Sequence, residues 1–177
     1  GDWKVVCIEI DAFKPDQPFF VDDLYVRFPE IFSSRIEGSD TAFVRKMYYS
    51  GDEKVKYFSL SEFIGKFGDE TSVKKLGFIF HMSRCGSTLF ANLLRCKKDA
   101  VVYSEPTVIN AILDPEKQIP KEIKVKLLNA VLNSLDDFSG EEVSNLFIKF
   151  RSWNIFFLDE IFTNFRFVPT VFIHRKG

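Results

Sequence analysis

Two regimes of apolar patterning divide the chain near residue 75. Beyond it, short continuous apolar runs alternate with segments whose apolar residues recur every three or four positions. These are the signatures of buried strands and amphipathic helices. Gly77-Phe78-Ile79-Phe80-His81-Met82 predicts a strand covered on both faces, and residues 87–95, with Leu89, Phe90, Leu93 and Leu94 at helical spacing, predict the helix that follows. Ala100-Val101-Val102-Tyr103 reads as a second strand. Pro106 then suits the first turn of a helix through Ile109, Ile112 and Leu113, which Asp114-Pro115 ends. Residues 121–137 carry one apolar stripe of Ile123, Leu127, Leu128, Val131, Leu132 and Leu135. Leu146-Phe147-Ile148-Lys149-Phe150 is a third strand, and Ser152 caps a helix burying Trp153, Phe156, Phe157, Ile161 and Phe165. Pro169-Thr170-Val171-Phe172-Ile173 is a fourth strand. Strands alternating with helices predict an α/β fold, a parallel sheet with flanking helices and right-handed crossovers.

The first 75 residues are patterned differently. Residues 3–10 partly alternate and read as a strand; Pro15, Pro18 and Pro29 punctuate a loop-rich stretch with an apolar patch at Phe19, Phe20 and Val21. Residues 41–49 and 54–58 read as two strands joined at Ser50-Gly51-Asp52-Glu53, a hairpin. A short helix follows over residues 59–67, with Ser59 or Ser61 as its N-cap. The expected organisation is a small β-containing addition over 1–75 and an α/β nucleotide-binding domain over 76–177. The addition either packs as a cap or shapes an acceptor pocket.

Composition narrows the function classes. The 24 basic and 25 acidic residues leave a net charge of −1, which argues against a general nucleic-acid or membrane-surface binder and makes any anion site local. No apolar run approaches the ~20 residues of a membrane span. Cys7, Cys85 and Cys96 offer neither a metal spacing nor an even disulfide framework, so a reduced, cytoplasmic protein is expected. The 21 Phe residues predict a bulky core.

The chemistry concentrates between the first predicted strand and its helix. Ser83-Arg84-Cys85-Gly86-Ser87-Thr88 joins small residues, hydroxyls and one cation at a helix N-terminus, where free backbone N–H groups and the helix dipole favour an anion. The loop lacks the Lys of a G-x-x-x-x-G-K-[ST] phosphate loop, and no later strand ends in a metal-holding Asp, so Mg²⁺-dependent nucleotide chemistry is disfavoured. In a parallel sheet, ligands bind beyond the carboxyl ends of the strands. That rim collects Arg84, Glu105, Arg151 with Ser152, and Arg175, one group after each strand.

These residues carry a family resemblance. Arg84-Cys85-Gly86-Ser87-Thr88 resembles the 5′-phosphosulfate loop of the sulfotransferases, which has the form [KR]-x-G-[ST]-[ST]. Tyr103-Ser104-Glu105-Pro106 resembles the segment that carries a catalytic Glu in bacterial and tyrosylprotein-type members. Val171-Phe172-Ile173-His174-Arg175 resembles the strand ending in the Arg that binds the 3′-phosphate. The resemblance covers residues 76–177. It implies a P-loop NTPase-like fold of sulfotransferase type, cut short at its C-terminus. The co-substrate it implies is 3′-phosphoadenosine-5′-phosphosulfate (PAPS), with no metal. The acceptor would be a hydroxyl or amine of a small molecule, carbohydrate or peptide.

By that resemblance Glu105 is the base, Arg84 stabilises the leaving phosphate, Arg84, Cys85, Gly86, Ser87 and Thr88 form the loop, and Arg175 clamps the 3′-phosphate. Plainer roles stand beside these. Glu105 also suits a helix-capping carboxylate, Arg175 a solvated side chain, His81 an interior histidine, and Lys149 and Arg151 salt bridges. The helix N-terminus would lower the proton affinity of Glu105 and burial would raise it. Two other functions remain open: a kinase-like nucleotide phosphotransferase, and a non-catalytic nucleotide- or anion-binding module.

Overall fold

The computed structural model of the chain describes residues 4–8, 55–68, 75–139 and 142–175. The elements in chain order are β1 (Lys4–Ile8), β2 (Val55–Ser59), α1 (Leu60–Phe67), β3 (Lys75–His81), α2 (Ser87–Arg95), β4 (Ala100–Ser104), α3 (Thr107–Leu113), α4 (Lys121–Ser139), β5 (Asn145–Lys149), α5 (Leu158–Phe165) and β6 (Thr170–Ile173), with 3-10 turns at Pro115–Lys117 and Ser152–Phe157. Four strands form a parallel sheet in the order β4-β5-β3-β6. Helices flank it, as the alternating pattern predicts, and β3 lies inside the sheet with its loop at the centre of the carboxyl rim.

Period-two alternation sorts the strand residues to two faces. One face presents Phe78, Phe80, Val101, Tyr103, Leu146, Ile148 and Phe150 to the main core, where α1, α3, α4 and α5 contribute Phe63, Leu113, Leu128 and Ile161 among others. The Phe-rich composition is spent here: Phe80 stacks on Phe150 at 4.6 Å, and Phe78 meets Phe150 edge-on at 5.1 Å. The other face presents Ile79, Val102 and Phe147 to α2, which packs through Ala91, Phe90 and Leu94. Gly77 is required on this face, because a Cβ there would lie 2.7 Å from Cδ1 of the Phe147 ring.

Several expectations need correction. Leu89 and Leu93 of α2 are exposed; among the described residues the helix meets the sheet through Ala91, Phe90 and Leu94, which face Ile79 and Val102. Ser152 is no cap. Arg151 precedes a 3-10 turn, and its N–H donates to Asn154 Oδ1 at 2.7 Å. That turn swings Phe156 outward to 83% exposure, whereas Ile161 and Phe165 are buried as expected. β2 pairs antiparallel with β1, Val5 opposite Phe58; the other arm of the expected hairpin, residues 41–49, and the patch at Phe19–Val21 lie outside the described residues. Ser59 caps α1 in a reciprocal capping box with Glu62, as its spacing suggests. No helix among the described residues is long and apolar enough to cross a membrane.

Candidate functional site

The loop from β3 to α2 turns through two left-handed residues, Arg84 at φ 57° and Gly86 at φ 89°. Gly86 is the residue before α2, and a Cβ there would meet nothing within 4 Å, so open space lies over the backbone at that point. Left-handed backbone is ordinary for glycine and strained for arginine. Arg84 is exposed, Cys85 and Thr88 are half-buried, and Ser87 is buried at the first position of the helix. The segment therefore presents a small-residue turn, a cation and a helix start with no side-chain cap of its own. Arg175 stands exposed two residues beyond β6.

Glu105 occupies a different setting from the apolar wall with a helix dipole that its position suggests. It too is left-handed, at φ 55°, and its N–H donates to Lys149 O at 2.7 Å. The β4–β5 register sets Ser104 against Lys149, so β5 delivers a lysine directly beside it. Lys149 is 1% exposed, and its Nζ donates to Glu105 Oε1 at 2.7 Å. His81, at the end of β3, brings Nε2 to 3.5 Å from the same oxygen, close enough for a charge contact but without hydrogen-bond geometry. Arg151 Nε reaches Oε2 at 3.4 Å. Burial pushes the Glu105 carboxyl up. The close approach of His81 and the hydrogen bond and charge of Lys149 outweigh burial and hold it at about 2. Neither a catalytic base nor a helix cap in isolation describes it: Glu105 is the carboxylate of a four-residue charge cluster.

His81 and Lys149 lie on the α2 face of the sheet by strand alternation. This is the side to which the 83–88 loop turns, since α2 begins there. Two buried amides border the cluster. Asn110 Nδ2 donates to Glu105 O at 3.3 Å, leaving Oδ1 unpaired; Asn154, which takes the Arg151 N–H, leaves Nδ2 unpaired. Among the described residues, neither Arg84 nor Arg175 is joined to the cluster by a hydrogen bond or ion pair. The site thus comprises an exposed loop with Arg84, a buried cluster around Glu105, and Arg175 on the same carboxyl rim.

Lys149 and His81 are the members that motif spacing passes over. The signal was present. A lysine within the apolar run Leu146–Phe150 must meet a counter-charge if that strand is buried, and Glu105 is the one carboxylate the rim collects. A groove of about 1310 Å³ opens at the other end of β3, between Gly77, Phe90, Asn145 and Thr170. None of the loop or cluster residues lines it. Among the described residues no group of three or more His, Cys, Asp or Glu could hold a metal ion. Comparison with family models, with curated proteins and with solved structures finds no match for this chain.

Proposed function

We propose that the chain is a PAPS-dependent sulfotransferase of P-loop-like type, with residues 83–88 binding the 5′-phosphosulfate and Glu105 accepting the proton of a hydroxyl or amine acceptor. The observation that carries the reading is the combination at one rim of a turn with Arg84 and Gly86 left-handed, open space over Gly86, and a largely buried carboxylate contacted by basic groups. The phosphosulfate, when bound, supplies an activated sulfuryl group. The loop amides and the Ser87 and Thr88 hydroxyls are donors for its oxygens, and Arg84 is a charge-assisted donor for the leaving phosphate. Arg175 serves as the 3′-phosphate clamp from the end of β6. Glu105, one residue beyond β4 on the same carboxyl rim, is the group that would take the acceptor's proton.

One observation favours a second reading. A carboxyl held at about 2 has little affinity for a proton at neutral pH, so Glu105 as it stands is a weak base. A non-catalytic anion-binding module would need only the cations. The two are separated by titrating the protein with 3′-phosphoadenosine-5′-phosphate and with Mg²⁺-ATP, then assaying sulfuryl transfer from PAPS to a panel of acceptors. The bisphosphate binds in preference to Mg²⁺-ATP, and Arg84→Ala weakens it by about tenfold or more, as for loss of a charge-assisted hydrogen bond. A wild-type protein indifferent to the bisphosphate sinks the nucleotide reading. Binding without transfer to any acceptor class favours the module.

A further inference from the structure

Glu105 holds a backbone conformation that its own sequence opposes. Its φ is 55°, in the left-handed region that residues other than glycine rarely adopt. Pro106 follows it, and a residue before proline is pushed towards extended backbone with negative φ. Such a conformation persists only where the surroundings over-determine it. Two contacts to the main chain of Glu105 do so. On one side its N–H donates to Lys149 O at 2.7 Å, which ties it to β5. On the other, Asn110 Nδ2 donates to Glu105 O at 3.3 Å.

Asn110 is well placed to hold that carbonyl. Its own N–H donates to Pro106 O at 3.2 Å, beside that of Ile109 at 3.1 Å. Main chain and side chain of one residue thus hold two successive carbonyls, those of Pro106 and Glu105. The side chain is buried and its orientation is fixed: a carbonyl oxygen only accepts, so the amide nitrogen faces Glu105. Oδ1 is buried without a hydrogen-bond partner. A half-paired amide is costly to bury, and an apolar side chain of similar shape would avoid that cost. What the amide contributes in return is its one bond, to Glu105.

We propose that Asn110 is a positioning residue: it locks the left-handed backbone of Glu105 and thereby sets the carboxylate against Lys149. Its consequence for catalysis rests on the reading of Glu105 as the proton acceptor, and Asn110 acts through that residue rather than on substrate. With the backbone so held, Oε1 meets Lys149 Nζ at 2.7 Å. The charged and titratable groups that contact Glu105 among the described residues are His81 from β3, Lys149 from β5 and Arg151 just beyond β5, while α3 brings the neutral Asn110 amide. Without the Asn110 bond the backbone relaxes towards the extended region favoured before proline, and the carboxylate leaves Lys149. Burial is then no longer offset, and the affinity of Glu105 for a proton rises.

The test follows the Glu105 carboxyl carbon by NMR in protein labelled with carboxyl-¹³C glutamate, the resonance being assigned by its loss in Glu105→Gln. In wild type the midpoint lies near 2. In Asn110→Leu, confirmed as folded by its amide spectrum, it rises by about one pH unit or more. An unchanged midpoint overturns the proposal. In a Lys149→Met background the same substitution moves the midpoint much less, because two changes that act on one contact do not add. Equal shifts in the two backgrounds overturn the proposal, since a general loosening of the rim does not depend on Lys149. If neither Asn110→Leu nor Asn110→Ala folds, wild type decides by hydrogen exchange. The side-chain amide protons of Asn110 then exchange as slowly as the backbone amide of Glu105, and free exchange overturns the proposal. None of these measurements needs a nucleotide. Absence of sulfuryl transfer by wild type removes Glu105 as a base, while the titrations still sustain or overturn its positioning by Asn110.

Discussion

Acidification is the most direct perturbation of the Glu105 cluster. A carboxyl whose folded-state value is depressed stabilises the fold above its unfolded value, and that contribution is lost as pH falls through the folded value. Glu105 falls from an ordinary 4.5 to about 2, so at about 1.4 kcal/mol per pH unit the full contribution at pH 6 is about 3 kcal/mol. Solvent reduces it. The Glu105 side chain is 16% exposed, and its Arg151 partner is 54% exposed, which makes that pair worth little. Halving the figure for screening leaves about 1.5 kcal/mol, of which linkage removes roughly two-thirds, about 1 kcal/mol, between pH 6 and pH 3. The assay is urea unfolding of wild type and Glu105→Gln at both pH values. Glutamine cannot ionise, so all other titrating groups cancel in the comparison. Wild type is more stable than Glu105→Gln at pH 6, and the gap narrows by about 1 kcal/mol at pH 3. A gap that stays constant across this range refutes the assignment of His81 and Lys149 as the groups that hold the carboxylate ionised.

Two further outcomes follow from the packing. Gly77→Ala drives a methyl to 2.7 Å from the Phe147 ring and destabilises by about 1–3 kcal/mol in chemical unfolding, as overpacking of a core does, and Phe147→Leu in the same chain recovers part of the loss. Lys149→Met is milder than Glu105→Gln in the same measurement: the methionine suits a site 1% exposed, and the remaining carboxylate keeps Arg151, whereas the glutamine removes the negative charge beside a buried ammonium.

The parallel sheet was legible because its strands are buried on both faces and so read as unbroken apolar runs, Gly77–Met82 and Leu146–Phe150 among them. The loop was legible because glycine and small hydroxyl residues at a strand-to-helix junction leave few other conformations. The partners of Glu105 were legible only as a need for a counter-charge near Lys149, for a reason of register. Which strand lies beside β4 is a matter of sheet order, and nothing local in the sequence encodes that β5, third among the parallel strands in the chain, inserts between β4 and β3. Only that insertion sets Ser104 opposite Lys149 and brings His81 within reach from the far side. Phe156 illustrates the opposite failure. Its spacing with Trp153 and Phe157 fits a helix, but the 3-10 turn advances three residues per turn and rotates it into solvent.

The insertion of β5 also bears on how the molecule comes apart in time. Glu105 is 44 residues from Lys149 and 46 from Arg151, so its ion pairs close only after three strands have found their order. Contacts of such long separation form late, and those absent from the folding transition state act on the unfolding rate. The cluster is then a kinetic latch on the rim. Protonating Glu105 would hasten unfolding while leaving refolding nearly untouched.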